Sequence, residues 1–173
     1  MGFDLTGLAP RSEQGEYFRN NVWYWRPLWA YCSGQHPDLL PPDPEAGQMN
    51  DGFEVPEDLA DALSAALFLD LEDGTVERAI ESFRIEQAAL PQIKCQWCEG
   101  SGIRTDDVGQ SLGFPTMELP EADAIMLGRT HGSCNSCRGL GWHVHPFADY
   151  HFEAENVRRF AEFVKESGGF SIW

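Results

Sequence analysis

The sequence of 173 residues predicts an α+β fold, in which a small helical domain also contains short strands. Three segments place apolar residues at helical spacing: residues 56–73, 75–90 and 153–167. A short strand followed by a polar loop is predicted within residues 1–15, and a second strand in the last four residues. Hydrophobic residues make up 42% of the chain, and a chain of this length can bury about two-thirds of its unfolded surface. A sizeable core is therefore expected.

The first two helical segments carry clear start and stop signals. Pro56 suits the first position of a helix, and Glu57 and Asp58 suit its positive N-terminal end. Gly74 ends the first helix, and Pro91 ends the second. Because one short glycine turn joins them, the two helices are expected to pack as an antiparallel hairpin. The residues of the second helix that are predicted to face the core are Val76, Ala79, Ile80, Phe83 and Leu90.

Seven aromatic residues lie between positions 17 and 31. Pro27 cannot lie deep inside a helix, because it lacks an N–H and would clash with the carbonyl of Trp23. The block therefore predicts a helix that begins near Arg26 and ends near Cys32, and most of its rings are expected in the core. Four polar residues among the rings either pair with acidic residues or line a pocket for a small molecule or substrate. They are Arg19, Asn20, Asn21 and Arg26.

Acidic residues dominate the charge of the chain. Twelve Lys and Arg against twenty-eight Asp and Glu give a formal net charge of −16, which argues against direct binding to nucleic acid or to anionic lipid. The sequence has no apolar run of about 18 residues that would span a membrane, and its start does not resemble a secretory signal. A cytoplasmic location, in a bacterial cell or an infected host, is expected.

One stretch concentrates this acidity. No Lys or Arg occurs between Arg26 and Arg78, whereas twelve Asp and Glu do. Such a stretch is either a solvated face or a surface for a basic protein partner, and ordered carboxylates can imitate the phosphates of a nucleic acid. The carboxylates predicted to contact a partner are Asp58, Asp61, Asp70, Glu72 and Asp73.

Four of the five cysteines form two C-x-x-C pairs, Cys95 with Cys98 and Cys134 with Cys137. Each pair continues as C-x-x-C-x-G-x-G, in which the glycines permit positive φ and let backbone N–H groups approach the sulfurs. One tight turn directs two thiolates at an ion, and two such turns complete a tetrahedron. The motifs therefore predict one structural Zn²⁺. Cys32 is left over and is expected to be a small buried hydrophobe.

The cysteine motifs complete the predicted architecture. It is a small helical domain with short strands and one four-cysteine zinc ribbon that carries a long insertion. Residues 1–91 form an aromatic and acidic helical region, and residues 92–145 form the ribbon with its insertion at 103–133. Residues 146–173 form a helix and a strand that pack back on the N-terminal region. His143, His145 and Asp149 are either ordinary surface residues or a second metal site.

Two resemblances accompany these motifs. The C-x-x-C-x-G-x-G segments at 95–102 and 134–141 resemble the zinc module of DnaJ-type co-chaperones, which implies metal ligation; that family has four repeats, and its J-domain has no counterpart here. The segments GEYFRNNVWYWRPLWAY and ENVRRFAEFVKESGGF, with Asn50-Asp51-Gly52 and the two cysteine motifs, resemble a family of small bacterial and bacteriophage proteins over nearly the full length. This second resemblance implies a prokaryotic or viral setting and implies no particular activity.

Three functional hypotheses follow. The first is a non-enzymatic, zinc-stabilised acidic protein, encoded by a phage, that inhibits or modulates a host protein such as a nucleic-acid-binding defence factor. The second is an enzyme or small-molecule binder with its pocket in the aromatic block. The third is a chaperone-like peptide binder. The sequence contains no nucleophile–base signature, P-loop or dinucleotide fingerprint, so it favours the first hypothesis over an enzyme.

Overall fold

The computed structural model describes residues 2–40 and 45–173. The chain divides into two compact units: the part up to Ala88 together with Asp149–Trp173, and Ala89–Ala148. We call them the sheet unit and the cysteine unit. Helices and short antiparallel strands occur together, which confirms the predicted α+β class.

The strands described are β1 Gly2–Gly7, β2 Tyr17–Asn21, β3 Phe53–Val55, β4 Ile93–Lys94, β5 Met117–Glu118, β6 His131–Gly132, β7 Trp142–His143 and β8 Phe170–Ile172. The α-helices described are α1 Val22–Gln35, α2 Glu57–Glu72, α3 Thr75–Ala88, α4 Asp107–Leu112, α5 Glu121–Leu127 and α6 Ala154–Ser167. No helix in the described part of the chain has both the length and the apolarity that a membrane crossing requires.

The sheet unit is built around four antiparallel strands in the order β2-β1-β8-β3. Leu5 of β1 lies opposite Phe18 of β2 and opposite Ile172 of β8. All three side chains are buried, because alternate residues of each strand point toward the same face. The last strand of the chain therefore lies inside the sheet, as the bridge between β1 and β3.

Aromatic rings fill the core between this sheet and the helices. Trp25 stacks on Trp29 with 5.1 Å between ring centroids and meets Phe160 of α6 edge to face at 5.6 Å. Both indole N–H groups find acceptors: Trp25 donates to the carbonyl of Gly47 at 2.8 Å and Trp29 to that of Ala46 at 2.6 Å. Satisfied indoles explain how two tryptophans can be almost fully buried.

The prediction for α1 was wrong at its start. The helix begins at Val22, not near Arg26, because the Asn21 side chain caps it and accepts the N–H groups of Trp23 and Tyr24 at 3.0 and 3.2 Å. Pro27 consequently lies inside the helix. The carbonyl of Trp23, whose helical donor Pro27 removes, instead accepts the backbone N–H of His151 at 2.9 Å. A tertiary contact thus compensates for the proline, and β2 occupies part of the block in which no strand was predicted.

The other helices in the sheet unit agree with prediction to within a few residues. Pro56 is the N-cap of α2 and not its first helical residue. Val76 and Ile80 of α3 are buried, and Ala79 and Phe83 pack against the core as predicted. The prediction for Leu90 was wrong, because α3 ends at Ala88 and Leu90 belongs to the cysteine unit. Helix α6 buries Val157, Phe160, Ala161 and Val164 and ends at Gly168, which has φ 59°. The C-terminal strand is β8.

Asp70 of α2 connects two residues at the end of α1. Its Oδ2 accepts the Tyr31 hydroxyl at 2.6 Å and lies 2.7 Å from His36 Nε2. The Asp70 side chain is only 13% exposed, so these contacts take the place of water around the carboxylate. Burial and the bond to Asp70 raise the pKa of the Tyr31 hydroxyl. Asp70 therefore holds the two helices together.

We expect Asp70→Ala to lower the free energy of unfolding by about 1–3 kcal/mol, because the Tyr31 hydroxyl and His36 lose their shared acceptor. The matched control is Glu72→Ala, which removes an exposed carboxylate from the same helix and should change stability by less than about 0.5 kcal/mol. Urea unfolding followed by circular dichroism measures both. Equal losses would contradict the assigned role.

Candidate metal centre

The four paired cysteines converge on one point. Their Sγ atoms all lie within 4.8 Å of one another, and all four residues are buried. The Cys95 and Cys134 sulfurs are 3.9 Å apart, and the Cys98 and Cys137 sulfurs 3.7 Å. Four sulfurs around a tetrahedral zinc with Zn–S bonds of about 2.3 Å would be separated by about 3.8 Å. The spacing therefore fits a tetrahedral metal ion.

The glycines of both motifs hydrogen-bond the sulfurs, as the sequence predicts. The N–H of Gly102 donates to the Cys98 sulfur at 3.3 Å, and the N–H of Gly141 donates to the Cys137 sulfur at 3.1 Å. Both glycines have positive φ, 72° and 96°. A Cβ on Gly102 would lie 2.2 Å from the Gly139 carbonyl oxygen, so only glycine fits there.

The two cysteine turns also hold each other reciprocally. The N–H of Cys95 donates to the carbonyl of Gly141 at 2.9 Å, and the N–H of Cys134 donates to the carbonyl of Gly102 at the same distance. Equivalent residues in the two motifs are 39 positions apart, so the pair of bonds is close to two-fold symmetric. Pairing of β4 with β7 continues the first of these contacts outward. The duplicated sequence thus produces a duplicated structure around one centre.

Two arginines of the insertion, Arg104 and Arg129, stabilise the centre. They were not predicted from the sequence. Arg129 donates to the carbonyls of His131, Gly139 and Leu140 at 2.8, 2.6 and 3.0 Å. Its guanidinium thereby ties the strand before Cys134 to the turn after Cys137. One feature of the sequence could have pointed to them: Arg104 and Arg129 are the only Lys or Arg residues between the two motifs.

Arg104 attaches the insertion to both cysteine turns. Its guanidinium lies 4.8 Å from the ring centroid of Trp97 and donates to Asn135 Oδ1 at 2.9 Å. It also forms a two-bond ion pair with Asp106, whose side chain caps α4. A tetrahedron of four thiolates around a divalent ion has a net charge of −2, and the guanidinium of Arg129, which has no carboxylate partner within the described residues, would offset part of it.

The thiols of Cys95 and Cys137 differ in pKa. Burial raises the pKa of the Cys137 thiol to about 12. Burial acts in the same direction at Cys95, but the backbone N–H groups of Trp97 and Cys98 donate to its sulfur and lower its pKa to about 6. Metal binding therefore releases protons from the less acidic thiols, and affinity should rise with pH.

The donor set indicates the class of ion and its role. Four thiolates in a tetrahedron suit zinc, and they leave no ligand position open for water or substrate. The described residues contain no second group of three or more histidine, cysteine or acidic side chains placed to hold an ion. Within the described residues, neither His143 nor His145 belongs to such a group.

A metal ion at this centre would supply much of the stability of the cysteine unit. The buried residues between Ala89 and Ala148 are the four cysteines, five glycines and Leu119, so this unit has almost no apolar core. A structural zinc site can contribute on the order of 10 kcal/mol to folding, which makes a unit of this composition viable.

The carboxylates predicted to contact a partner differ in their exposure and in the hydrogen bonds that they accept. Asp61 accepts two bonds from Arg11, at 2.6 and 2.8 Å, and these hold its pKa below the usual value. Asp73 caps α3 through Thr75, and Asp70 belongs to the network described above. Asp58 and Glu72 are exposed and have no hydrogen bond or ion pair within the described ranges. They are the two that remain available to a partner.

Three of the four predicted pocket residues meet at one cavity. Arg19, Asn20 and Asn21 line a cavity of about 500 Å³ together with residues of α6. Arg26 is not among its lining residues and lies 3.5 Å from the Tyr150 hydroxyl. Cys32 is fully buried, and burial raises the pKa of its thiol.

Comparison with known protein families, curated proteins and solved structures finds no match to this chain. The four-cysteine centre is therefore supported by its own geometry and not by relatives.

We expect the purified chain to bind one equivalent of zinc and the Cys134→Ser variant to lose that stoichiometry, because the tetrahedron then lacks a thiolate. Cys32→Ala is the matched control and should keep the metal. Elemental analysis by mass spectrometry measures both. Chelation should also abolish amide-exchange protection in residues 89–148 before it affects α2 or α6. Uniform loss of protection across the chain would contradict a separately metal-dependent unit.

We further expect Arg129→Gln to weaken zinc binding by about 10–100-fold, because three carbonyls around the cysteine turns lose their donor. Competition with a chromophoric chelator measures the affinity. Arg138→Gln removes the same charge beside a ligand cysteine but no hydrogen bond seen in the described residues, so it should have a much smaller effect. If the two variants lost affinity equally, charge alone would explain the result.

Proposed function

We propose that this chain is a non-enzymatic, zinc-stabilised protein that binds a basic protein partner through the outer face of α2. The proposal rests on one observation above all: two carboxylates on that face, Asp58 and Glu72, are exposed and lack partners within the described ranges. The metal centre stabilises the cysteine unit and has no open position for chemistry.

The α2 face is defined by Asp58, Ala65, Leu69 and Glu72. These residues are spaced by seven, four and three positions, so they lie along one side of the helix, and all four are exposed. Asp58 and Glu72 are separated by about 21 Å of helix, with the 63% exposed Leu69 between them. A central apolar residue with charged residues around it is typical of a protein interface.

The charge around this face is not neutralised by the chain itself. No Lys or Arg occurs between Arg26 and Arg78, and Arg11, which reaches α2, is occupied by Glu57 at 2.7 Å and Asp61 at 2.6 Å. The sheet unit as a whole has eight Lys and Arg against twenty-two Asp and Glu. Charge complementarity therefore favours a partner with a basic surface.

A more specific form of this proposal is a phage-encoded inhibitor of a host defence factor that binds nucleic acid. Exposed carboxylates on a rigid helix can occupy a cleft that normally holds phosphates, because both present fixed negative charge. The resemblance to small bacterial and bacteriophage proteins noted in the sequence supports this setting.

A second candidate is a chaperone-like peptide binder, and the cysteine unit provides the observation that favours it. This small unit exposes an unusual number of large apolar side chains, which can mark a binding surface. They are Ile93, Trp97, Ile103, Val108, Leu112, Ile125, Met126, Val144 and Phe147.

We expect the double variant Asp58→Lys, Glu72→Lys to lose a protein captured by the wild-type chain, because both unpaired carboxylates of the α2 face are reversed. Glu118→Lys, which reverses one exposed charge in the cysteine unit, is the control and should retain it. Affinity capture followed by mass spectrometry compares the variants, with circular dichroism as a folding check. Binding by the wild type should also weaken as salt rises.

Two outcomes distinguish the candidates. Capture of a basic protein that is lost in the double variant and in high salt supports the α2 face. Capture that survives both changes contradicts it, and in that case loss of capture in Trp97→Ala would support the chaperone-like alternative.

A further inference from the structure

The cavity that contains Arg19, Asn20 and Asn21 lies in the sheet unit, and none of the residues of the α2 face lines it. Its other lining residues include Tyr24 of α1 and Asn156 and Arg159 of α6. Its volume of about 500 Å³ is within the range usual for small-molecule sites.

A buried pair of asparagines forms part of its lining. Asn20 is 8% exposed and Asn156 is 6% exposed. Asn20 Nδ2 donates to Asn156 Oδ1 at 2.9 Å, and Asn156 Nδ2 donates to the carbonyl of Tyr24 at 3.4 Å. The Oδ1 of Asn20 accepts no hydrogen bond within the described ranges. Because this oxygen is not one of the fully buried atoms left without a partner, it is open to solvent or to a ligand donor at the cavity.

Two helices also begin at this cavity. The N-caps of α1 and α6, Asn21 and Glu153, both line it, and each helix is fourteen residues long. The positive ends of two helix dipoles therefore lie at the same place. The Glu153 side chain makes no capping hydrogen bond, so the first N–H groups of α6 have no side-chain cap.

Charges of both signs line the cavity without neutralising each other. Glu155 and Arg159 are four residues apart on α6, a spacing at which a glutamate and an arginine commonly pair. Within the described residues they form no ion pair, and the Arg159 guanidinium instead lies 5.7 Å from the ring centroid of Phe18. Arg19 is 67% exposed and has one loose contact with Asp4, at 3.5 Å.

We propose that this cavity binds a small zwitterion of the α-amino-acid class. Its carboxylate would lie with Arg19, Arg159 and the N-terminus of α6, which has no side-chain cap. Its ammonium would lie with Glu155 and the free Oδ1 of Asn20. This arrangement satisfies both sets of charges, whereas a simple anion would be opposed by the glutamates and a simple cation by the arginines.

The test uses the zinc-loaded chain of 173 residues. The twenty standard L-amino acids are screened by saturation-transfer NMR, and the best binder is then titrated calorimetrically beside its N-acetyl and carboxamide derivatives. We expect the free amino acid to bind with millimolar affinity or better, and each derivative, which has lost one charge, to bind about tenfold more weakly or worse.

Matched variants locate the site. Arg159→Gln and Glu155→Gln should each weaken binding by about tenfold, and Arg84→Gln, an exposed arginine on α3, should leave it unchanged. Thermal unfolding checks that Arg159→Gln still folds, since its guanidinium covers Phe18. The proposal is overturned if no amino acid binds at about 10 mM, if the N-acetyl derivative binds as well as the free amino acid, or if both cavity variants bind like the wild type.

Discussion

The convergence of four cysteine sulfurs, with the spacing of a tetrahedral metal site, is the feature on which the cysteine unit depends. Apart from glycines, its buried residues are the ligands themselves and Leu119. A unit with so little apolar burial cannot offset the conformational entropy lost on ordering its chain. A metal ion bound by the four cysteines would supply the missing free energy, and reciprocal backbone hydrogen bonds between the two turns give the site a defined geometry. Exposed apolar side chains in this unit are then tolerable, because the fold does not rely on burying them.

The sheet unit follows the opposite logic. Its core consists of close-packed aromatic and aliphatic side chains between the sheet and four helices. Among the described residues, Gln48 Oε1 is the one fully buried side-chain N or O atom without a hydrogen bond, and the other polar groups of the core have partners. Ser64 donates to the carbonyl of Ala161 at 2.9 Å, and Asp70 serves both Tyr31 and His36. These hydrogen bonds fix the orientation of the packed helices, because rotation of a helix would leave a buried polar group unsatisfied.

The excess negative charge is distributed unevenly between the two units. The cysteine unit has four Lys and Arg against six Asp and Glu, so nearly all of the excess negative charge belongs to the sheet unit. Within the sheet unit the acidic residues serve several purposes: some cap helices, some form internal contacts, and a few on α2 remain available. The arginines that line the cavity at α1 and α6 stand out against this background, because Arg159 forms no ion pair within the described residues and Arg19 has only its 3.5 Å contact with Asp4.

Elements whose causes are local could be predicted from the amino-acid sequence alone. Helical periodicity and end signals placed α2, α3 and α6, and the duplicated C-x-x-C-x-G-x-G motif placed the metal ligands and the glycine N–H groups that bond their sulfurs. Tertiary structure decided what depends on distant residues. Helix α1 can include Pro27 because His151 donates to the orphaned carbonyl of Trp23. Asp70 is largely buried, whereas Asp58, an aspartate of the same helix, is exposed. Arg104 and Arg129 contact rings and hydrogen-bond acceptors that are distant in the sequence. The acceptors of a charged loop residue cannot be predicted from the sequence, because folding brings them together.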